Sequence, residues 1–288
     1  MAFLEASGIS KSFSSASGVK PVLERISLSV AQGEFVSIVG SMGCGKSTLI
    51  NILSGVLAAD AGSISIDGRP VKGVSKQASI VFQNYSLLPW FSALENVRLA
   101  VRASRPEWTR DEQRKQSERY LGMVGLGNAI HRRPSQLSGG MRQRVAIARA
   151  FATGPDVLFL DEPFGALDAL TRANLQQELV RLCSVAEHPV TTVMISNNLE
   201  EALLLSDRII PMTRAPRATL GSPIVVDLPR PRSIELLLHD EQAVRARGHI
   251  VASLTDQLHS APRSGTDGAH ARVEEAATLN AAPVEARS

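Results

Sequence analysis

The chain has 288 residues, 44% of them hydrophobic, so it is long enough to bury the core of one large or two modest domains. Its net charge of +3 is mild and aromatic residues make up only 4%, a composition that argues against nucleic acid as a partner. No apolar run is long enough to span a bilayer, and we expect no signal peptide at the N-terminus. Two cysteines, Cys44 and Cys183, do not make a disulfide framework and favour a reducing cytosol.

The first segment alternates loosely between apolar and polar residues. This pattern predicts strands at Leu4–Ile9 and Leu23–Val30, joined by a Ser/Gly-rich loop that reaches Pro21. Phe13 falls near the end of the first strand. Its ring either stacks on a nucleotide base or belongs to the core, and the residues alone leave both interpretations open.

A glycine-rich segment follows a predicted buried strand at 35–39 and precedes a predicted helix. It consists of Gly40, Ser41, Met42, Gly43, Cys44, Gly45, Lys46, Ser47 and Thr48. Strand, glycine-rich turn, Lys-Ser and helix form the pattern of a phosphate-binding loop, in which backbone N–H groups and a helix N-terminus surround an anion. We therefore expect Lys46 to bind the β- and γ-phosphates and the Ser47 hydroxyl to bind Mg²⁺. A tight turn with an exposed lysine is the alternative.

Two strands and an apolar loop come next. Period-two alternation predicts a strand at 63–66, and a short buried strand at 80–82 ends at Gln83. A polar side chain at the carboxyl end of such a strand lies where open α/β sheets bind ligands. The loop at residues 84–92 is apolar and contains a proline, so it is either a docking surface or folded back on the core.

The following region is rich in Arg, Glu, Gln and Leu. Helical spacing begins near residue 93, and a second predicted helix runs from Thr109, as N-cap, to Val124. We interpret residues of about 93–144 as a small helical subdomain inserted into the α/β domain. Ser138, Gly139 and Gly140 precede a predicted helix at 142–152, where they either bind an anion or only cap the helix.

An apolar strand at 157–160 ends in Asp161 and Glu162. One such carboxylate can hold Mg²⁺, and its neighbour can orient or deprotonate an attacking water. A helix-capping Asp-Glu pair is the alternative. Beyond it the pattern predicts a helix at 166–183, a strand at 190–195, a helix at 199–205, a strand at 208–212 and a helix at 234–258. From residue 260 the chain lacks periodicity and is predicted to be a disordered tail.

Four motifs thus occur in the order found in ATP-binding cassette (ABC) ATPases. They are the phosphate loop, Gln83, the run Leu137-Ser138-Gly139-Gly140, and the strand ending in Asp161-Glu162-Pro163 with Asp168 shortly after it. The chain resembles that family over residues 2–230. The resemblance implies an α/β P-loop NTPase core with an N-terminal antiparallel β subdomain and an inserted helical subdomain. Beyond the resemblance, the helical pattern predicts a helical extension at 231–259.

The resemblance also implies roles at the nucleotide. Phe13 would stack on adenine, Asp161 would support Mg²⁺ and Glu162 would polarise the attacking water. Gln83 would reach Mg²⁺ and couple the site to a transmembrane partner. The enzyme would be a head-to-tail dimer that binds ATP and Mg²⁺. In that dimer Ser138, Gly139 and Gly140 touch the γ-phosphate held by the other subunit, and Asp168 lies in a loop that crosses the interface.

A closer resemblance exists to one branch of the family. Residues 81–90, VFQNYSLLPW, are similar to importers of nitrate, sulfonate, taurine, cyanate and bicarbonate, and residues 95–101, 131–134, 204–208 and 229–232 resemble the nitrate branch most. The branch implies a peripheral subunit at the cytoplasmic face of the inner membrane. A permease would dock near residues 84–92, and a periplasmic or lipid-anchored solute-binding protein would act through that permease.

One position departs from the family pattern. A Thr-His-Asp run usually follows the strand at 190–195, whereas this chain has Ser196, Asn197 and Asn198. An amide donates a hydrogen bond but carries no proton or charge. A regulatory cassette with little turnover therefore stays an alternative to an importer ATPase. A cassette acting on DNA or ribosomes would normally show a coiled-coil insertion or a tandem cassette, and this sequence has neither.

Overall fold

The computed structural model describes residues 2–15, 18–165, 167–185, 189–230 and 232–260. Its strands are β1 (Ala2–Ser15), β2 (Gly18–Ala31), β3 (Phe35–Val39), β4 (Ala61–Ile66), β5 (Arg69–Pro70), β6 (Ala78–Val81), β7 (Val157–Asp161), β8 (Thr191–Ser196), β9 (Arg208–Pro211) and β10 (Ile224–Val225). Its α-helices are α1 (Lys46–Leu53), α2 (Ala93–Ser104), α3 (Arg110–Met123), α4 (Gly139–Phe151), α5 (Ala169–Val185), α6 (Leu199–Leu205), α7 (Ile234–His239) and α8 (Glu241–Ser260).

The N-terminal sheet is antiparallel, in the order β2-β1-β4-β5. Its first hairpin is longer than the sequence predicts, because Phe13 pairs with Lys20 and Ser15 pairs with Gly18. The predicted loop up to Pro21 is therefore wrong in extent. Backbone pairing continues where most side chains are exposed, and the polar residues among them leave no regular apolar alternation to reveal the hairpin end.

The second sheet has the order β10-β9-β3-β8-β7-β6 and is parallel from β9 to β6. Every residue of β3, β7 and β8 is buried, as the continuous apolar runs of these strands require for a sheet covered on both faces. Val39 pairs with Ser196, and Ile195 pairs with Asp161. The carboxyl ends of β3, β8, β7 and β6 thus meet at one edge.

Helices α2 to α4 occur in the chain between β6 and β7. Ser92 and Thr109 each form a capping box, with Glu95 and Glu112 respectively, so α2 and α3 begin where the sequence predicts. Helix α4 begins three residues before its predicted start at 142, because Ser138 accepts a hydrogen bond from the Met141 backbone N–H and caps it. The division into subdomains stays a prediction.

The predicted helix at 234–258 is two helices. Asp240 is extended, and its Oδ1 accepts the backbone N–H of Ala243, so a new helix is capped at that point. Helix α8 ends at Ser260, and the predicted disordered tail beyond it lies outside the described residues. In the described part of the chain, none of the helices combines the length and apolar character that crossing a membrane requires.

Candidate functional site

The glycine-rich segment turns sharply between β3 and α1. Gly43 and Gly45 have φ angles of 77° and 108°, in the left-handed region that favours glycine. Lys46 is only 4% exposed, and its Nζ donates hydrogen bonds to the carbonyl oxygens of Gly40 at 2.9 Å and Ser41 at 3.1 Å. The lysine therefore holds the loop in the curved form that suits an anion, with its ammonium group at the loop.

At two glycines of the segment, Gly40 and Gly45, neighbouring atoms leave no room for a side chain. A Cβ on Gly40 would lie 2.9 Å from the Met212 carbonyl oxygen, and one on Gly45 would lie 2.9 Å from Val22 Cγ1. The loop is thus pressed between the end of the parallel sheet and strand β2. A side chain at either position would have to push the loop out of this place.

Asp161 ends β7 beside the loop. It is buried, and its Oδ1 accepts a hydrogen bond from the Ser47 Oγ at 3.1 Å. Burial raises the pKa of Asp161, and the Ser47 hydrogen bond opposes that rise. A hydroxyl and a carboxylate oxygen at this distance are the hard donors that Mg²⁺ prefers, so the pair fits that ion.

Glu162 has φ +44°, a left-handed conformation that costs energy for a residue with a side chain. Its backbone N–H donates to the Ile195 carbonyl oxygen at 3.1 Å, which fixes the turn to β8. The Oε1 atom lies 3.5 Å from Lys46 Nζ, and Asn197 Nδ2 lies 3.5 Å from Oε2. The residues that follow β3, β7 and β8 therefore meet at one carboxylate.

A buried network under Asn197 was not predicted from the sequence. The Ser196 hydroxyl donates to Glu201 Oε2 at 2.7 Å and accepts from the Asn198 backbone N–H at 3.0 Å. Arg172 of α5 is 3.8 Å from Glu201 Oε1. Burial raises the pKa of Glu201. The sequence feature that could have indicated this network is a glutamate at the start of the apolar run of α6. Its partners can be identified only from the packing of α5 against α6.

Phe13 lies on β1 at the exposed end of the hairpin and is 41% exposed. The Lys11 ammonium is 5.6 Å from the centre of its ring. Lys11 pairs with Leu23, and a Cβ on Gly45 would lie 3.0 Å from Leu23 Cδ2. The aromatic ring is therefore on the strand that pairs with β2, and β2 is the strand in contact with the phosphate loop. A stacking role for Phe13 stays a prediction.

Gln83 follows β6 at the same sheet edge as Asp161 and is exposed. Ser138, Gly139 and Gly140 begin α4, and a Cβ on Gly140 would lie 2.4 Å from Thr171 Cγ2. Among the described residues, no hydrogen bond or ion pair joins these three to the phosphate loop.

Asp168 precedes α5 and caps it. Its Oδ1 accepts the Thr171 backbone N–H at 3.0 Å, and that hydrogen bond holds the pKa of Asp168 below its usual value. Because Thr171 also contacts Gly140, the Ser-Gly-Gly turn and the Asp168 loop are neighbours within one chain.

The loop at 84–92 is folded back on the core in part and exposed in part. Tyr85 and Leu87 pack against the core, whereas Trp90 is 62% exposed. The buried Asn96 amide fixes the loop, because it accepts from the Leu88 N–H at 2.8 Å and donates to the Leu88 carbonyl at 3.2 Å. A rigid loop that presents an indole is suited to contact another protein.

The family model described as ABC transporter matches residues 23–165. The nitrate import ATP-binding protein NrtD of Synechococcus elongatus is 46% identical over 85% of this chain and 89% of its own length. The bicarbonate transport ATP-binding protein CmpD of Synechocystis sp. is 43% identical over 89% of this chain and 90% of its own.

Solved structures of ABC transporter cassettes have a similar fold. The dimeric bacterial ABC transporter cassette MJ0796 has a TM-score of 0.70 at 30% identity and covers 78% of this chain and 99% of that one. A post-hydrolysis form of the same cassette, bound to ADP and Pi, has a TM-score of 0.69 at 29% identity, with the same coverage.

Proposed function

The chain belongs to the ABC transporter ATPase family, and we propose that it is the ATP-hydrolysing subunit of an importer for a small anion, with nitrate as the leading substrate. The observation that carries the catalytic part is the convergence of Lys46, Asp161, Glu162 and Asn197 at one sheet edge. The choice of substrate is supported by the similarity to a nitrate import protein and a bicarbonate transport protein.

In this proposal the phosphate loop binds ATP through its backbone N–H groups and Lys46. Ser47 and Asp161 hold Mg²⁺, with Gln83 reaching it from the neighbouring strand end. When bound, that ion neutralises charge on the phosphate oxygens. Glu162 orients the attacking water and accepts its proton. Asn197, which donates toward Glu162, supplies a neutral hydrogen bond to the γ-phosphate.

The dimer is the second part of the proposal. Ser138, Gly139 and Gly140 open a 13-residue helix whose N-terminus is suited to an anion. We place the γ-phosphate of the other subunit there, with Asp168 at the interface. Support comes from the dimeric arrangement of the similar cassette. We also propose residues 2–230 as the ATPase domain and 231–259 as a helical extension.

The permease is expected to contact Trp90 from the membrane side, which puts the subunit at the cytoplasmic face of the inner membrane. A solute-binding protein would act through that permease. Trp90→Asp is expected to reduce co-purification with the permease, because it places a charge in an apolar contact. Val74→Asp is the matched control, since Val74 is 79% exposed on another loop. Equal loss in both variants, or none in Trp90→Asp, contradicts this docking site.

The deciding experiment compares uptake of nitrate, bicarbonate, taurine, another sulfonate and cyanate in cells that lack the chain. Wild type is expected to restore nitrate uptake, and Glu162→Gln is not. The purified variant should bind ATP and accumulate as a dimer on gel filtration. Its hydrolysis should be slower by about 10²–10⁴-fold, the usual worth of general-base assistance. Hydrolysis at the wild-type rate would remove Glu162 from this role.

A regulatory cassette is the second candidate, and the amide of Asn197 in place of an imidazole favours it. A wild-type protein that binds ATP without measurable turnover, even with its permease, would support that candidate. Restoration of bicarbonate, sulfonate, taurine or cyanate uptake alone would change the substrate and leave the ATPase proposal intact.

A further inference from the structure

A cavity of about 560 Å³ lies away from the phosphate loop, between α5, α6, Arg230 and residues 232–234. Its walls are mainly apolar, with Ala173 and Val180 on α5 and Leu204 on α6. This volume falls within the range of about 300–1,000 Å³ that is usual for small-molecule sites. The cavity is therefore large enough for a metabolite-sized ligand.

Three arginines line the same cavity. Arg232 is fixed in place, because it donates hydrogen bonds to the carbonyl oxygens of Leu203, Ser206, Val226 and Leu228. Arg230 donates through Nη2 to the Leu205 carbonyl and to Asp207 Oδ1, both at 2.8 Å. Arg181 adds a third guanidinium from the exposed face of α5.

The positive charge of the three arginines at the rim of the cavity exceeds the negative charge of Asp207 beside them. Burial lowers the pKa of Arg232, the positive charge of Arg230 lowers it further, and Asp207 opposes this decrease in part. Two guanidinium groups at one rim repel each other, and an anion between them would remove that repulsion. Guanidinium is also the side-chain group that best matches a carboxylate.

We propose that this cavity binds a small organic anion, with an apolar body against α5 and α6 and a carboxylate-type head group at the rim formed by Arg181, Arg230 and Arg232. An inorganic anion would leave the apolar walls in contact with water, whereas a neutral apolar molecule would leave Asp207 as the carboxylate that faces three guanidinium groups. The site is separate from the ATP site, so binding does not depend on the proposed ATPase role.

Isothermal titration of the full chain without nucleotide tests the proposal, with octanoate as probe and octan-1-ol and acetate as its two halves. Octanoate is expected to bind at one site, at least about tenfold tighter than either half, since a charge-assisted hydrogen bond is worth at least that factor. Arg230→Gln and Arg181→Gln should each weaken octanoate about tenfold. Arg245→Gln, on the exposed face of α8, removes the same charge elsewhere and should change nothing.

Ala173→Phe tests the apolar part, because the larger side chain fills the cavity and should abolish binding. The thermal midpoint of each variant shows whether it is folded, and the two arginine variants decide the matter where Ala173→Phe does not fold. Octanoate no tighter than octanol, affinity unchanged in both arginine variants, or no saturable binding at all would overturn the proposal.

Discussion

Gly140→Ala is expected to destabilise the protein through a single contact between α4 and α5. The new Cβ would lie 2.4 Å from Thr171 Cγ2, whereas the other Thr171 atoms are at 3.8 and 3.9 Å, which is ordinary van der Waals distance. Thr171 cannot turn away freely, because its backbone N–H and its side chain both hydrogen-bond to Asp168. The clash therefore has to move one helix or break the cap of the other.

The magnitude follows from two opposing terms. Overpacking of a well-filled contact costs about 1–3 kcal/mol. Alanine in a helix gains up to about 1 kcal/mol over glycine. The net loss in unfolding free energy should be about 0–3 kcal/mol. Thr171→Ser deletes the clashing methyl group and keeps the hydroxyl, so the double variant should recover the loss and keep the propensity gain.

Urea unfolding of the wild type, both single variants and the double variant gives the coupling energy between the two positions. We expect a coupling of about 1–3 kcal/mol. A coupling within about 0.5 kcal/mol of zero, the range usual for independent sites, would refute the contact between the Ser-Gly-Gly turn and the Asp168 helix.

Three further predictions concern the site itself. Lys46→Ala should weaken ATP binding by about 100-fold, since two charge-assisted hydrogen bonds are lost, and near-normal affinity in a fluorescent nucleotide titration would contradict it. Asn197→His should leave ATP affinity unchanged and steady-state turnover at or above wild type, because an imidazolium donates a stronger hydrogen bond than an amide; reduced turnover would count against it. For Glu201, the folded-state pKa is raised, so the native state binds more protons than the unfolded state and its stability falls as pH rises above about 4. The unfolding free energy of wild type minus that of Glu201→Gln should therefore decrease between pH 4 and 8, and a flat difference would show that Glu201 does not titrate abnormally.

Much of the fold could be predicted because its signals are local. The apolar runs of β3 and β7 and the period of α6 mark these elements without knowledge of any partner. The phosphate loop is equally local, since its lysine, its glycines and its hydroxyl are contiguous. The meeting of Glu162 with Lys46 could be predicted only from the motif order of a known family.

Other features could not be predicted because they depend on contacts between distant segments. Glu201 forms a hydrogen bond with Ser196 and an ion pair with Arg172. These partners reach it only when α5 packs on α6. The break at Asp240 is different, because its cap was visible in the sequence but the apolar period continued across it. The extension of the hairpin to Ser15 could not be predicted, because its mostly polar residues show no regular apolar alternation although their backbones pair.

The position of β3 has a consequence for how the protein is made. Among the described residues, β3 pairs in the sheet with β8 and β9, which come much later in the chain. The phosphate loop therefore leaves the ribosome long before the strands that complete its sheet are synthesised. Until then the apolar strand β3 lacks its hydrogen-bond partners. ATP can stabilise only the finished arrangement, since only that form binds it. A chain that stops before residue 208 should thus be an aggregation-prone fragment rather than a weaker nucleotide-binding protein.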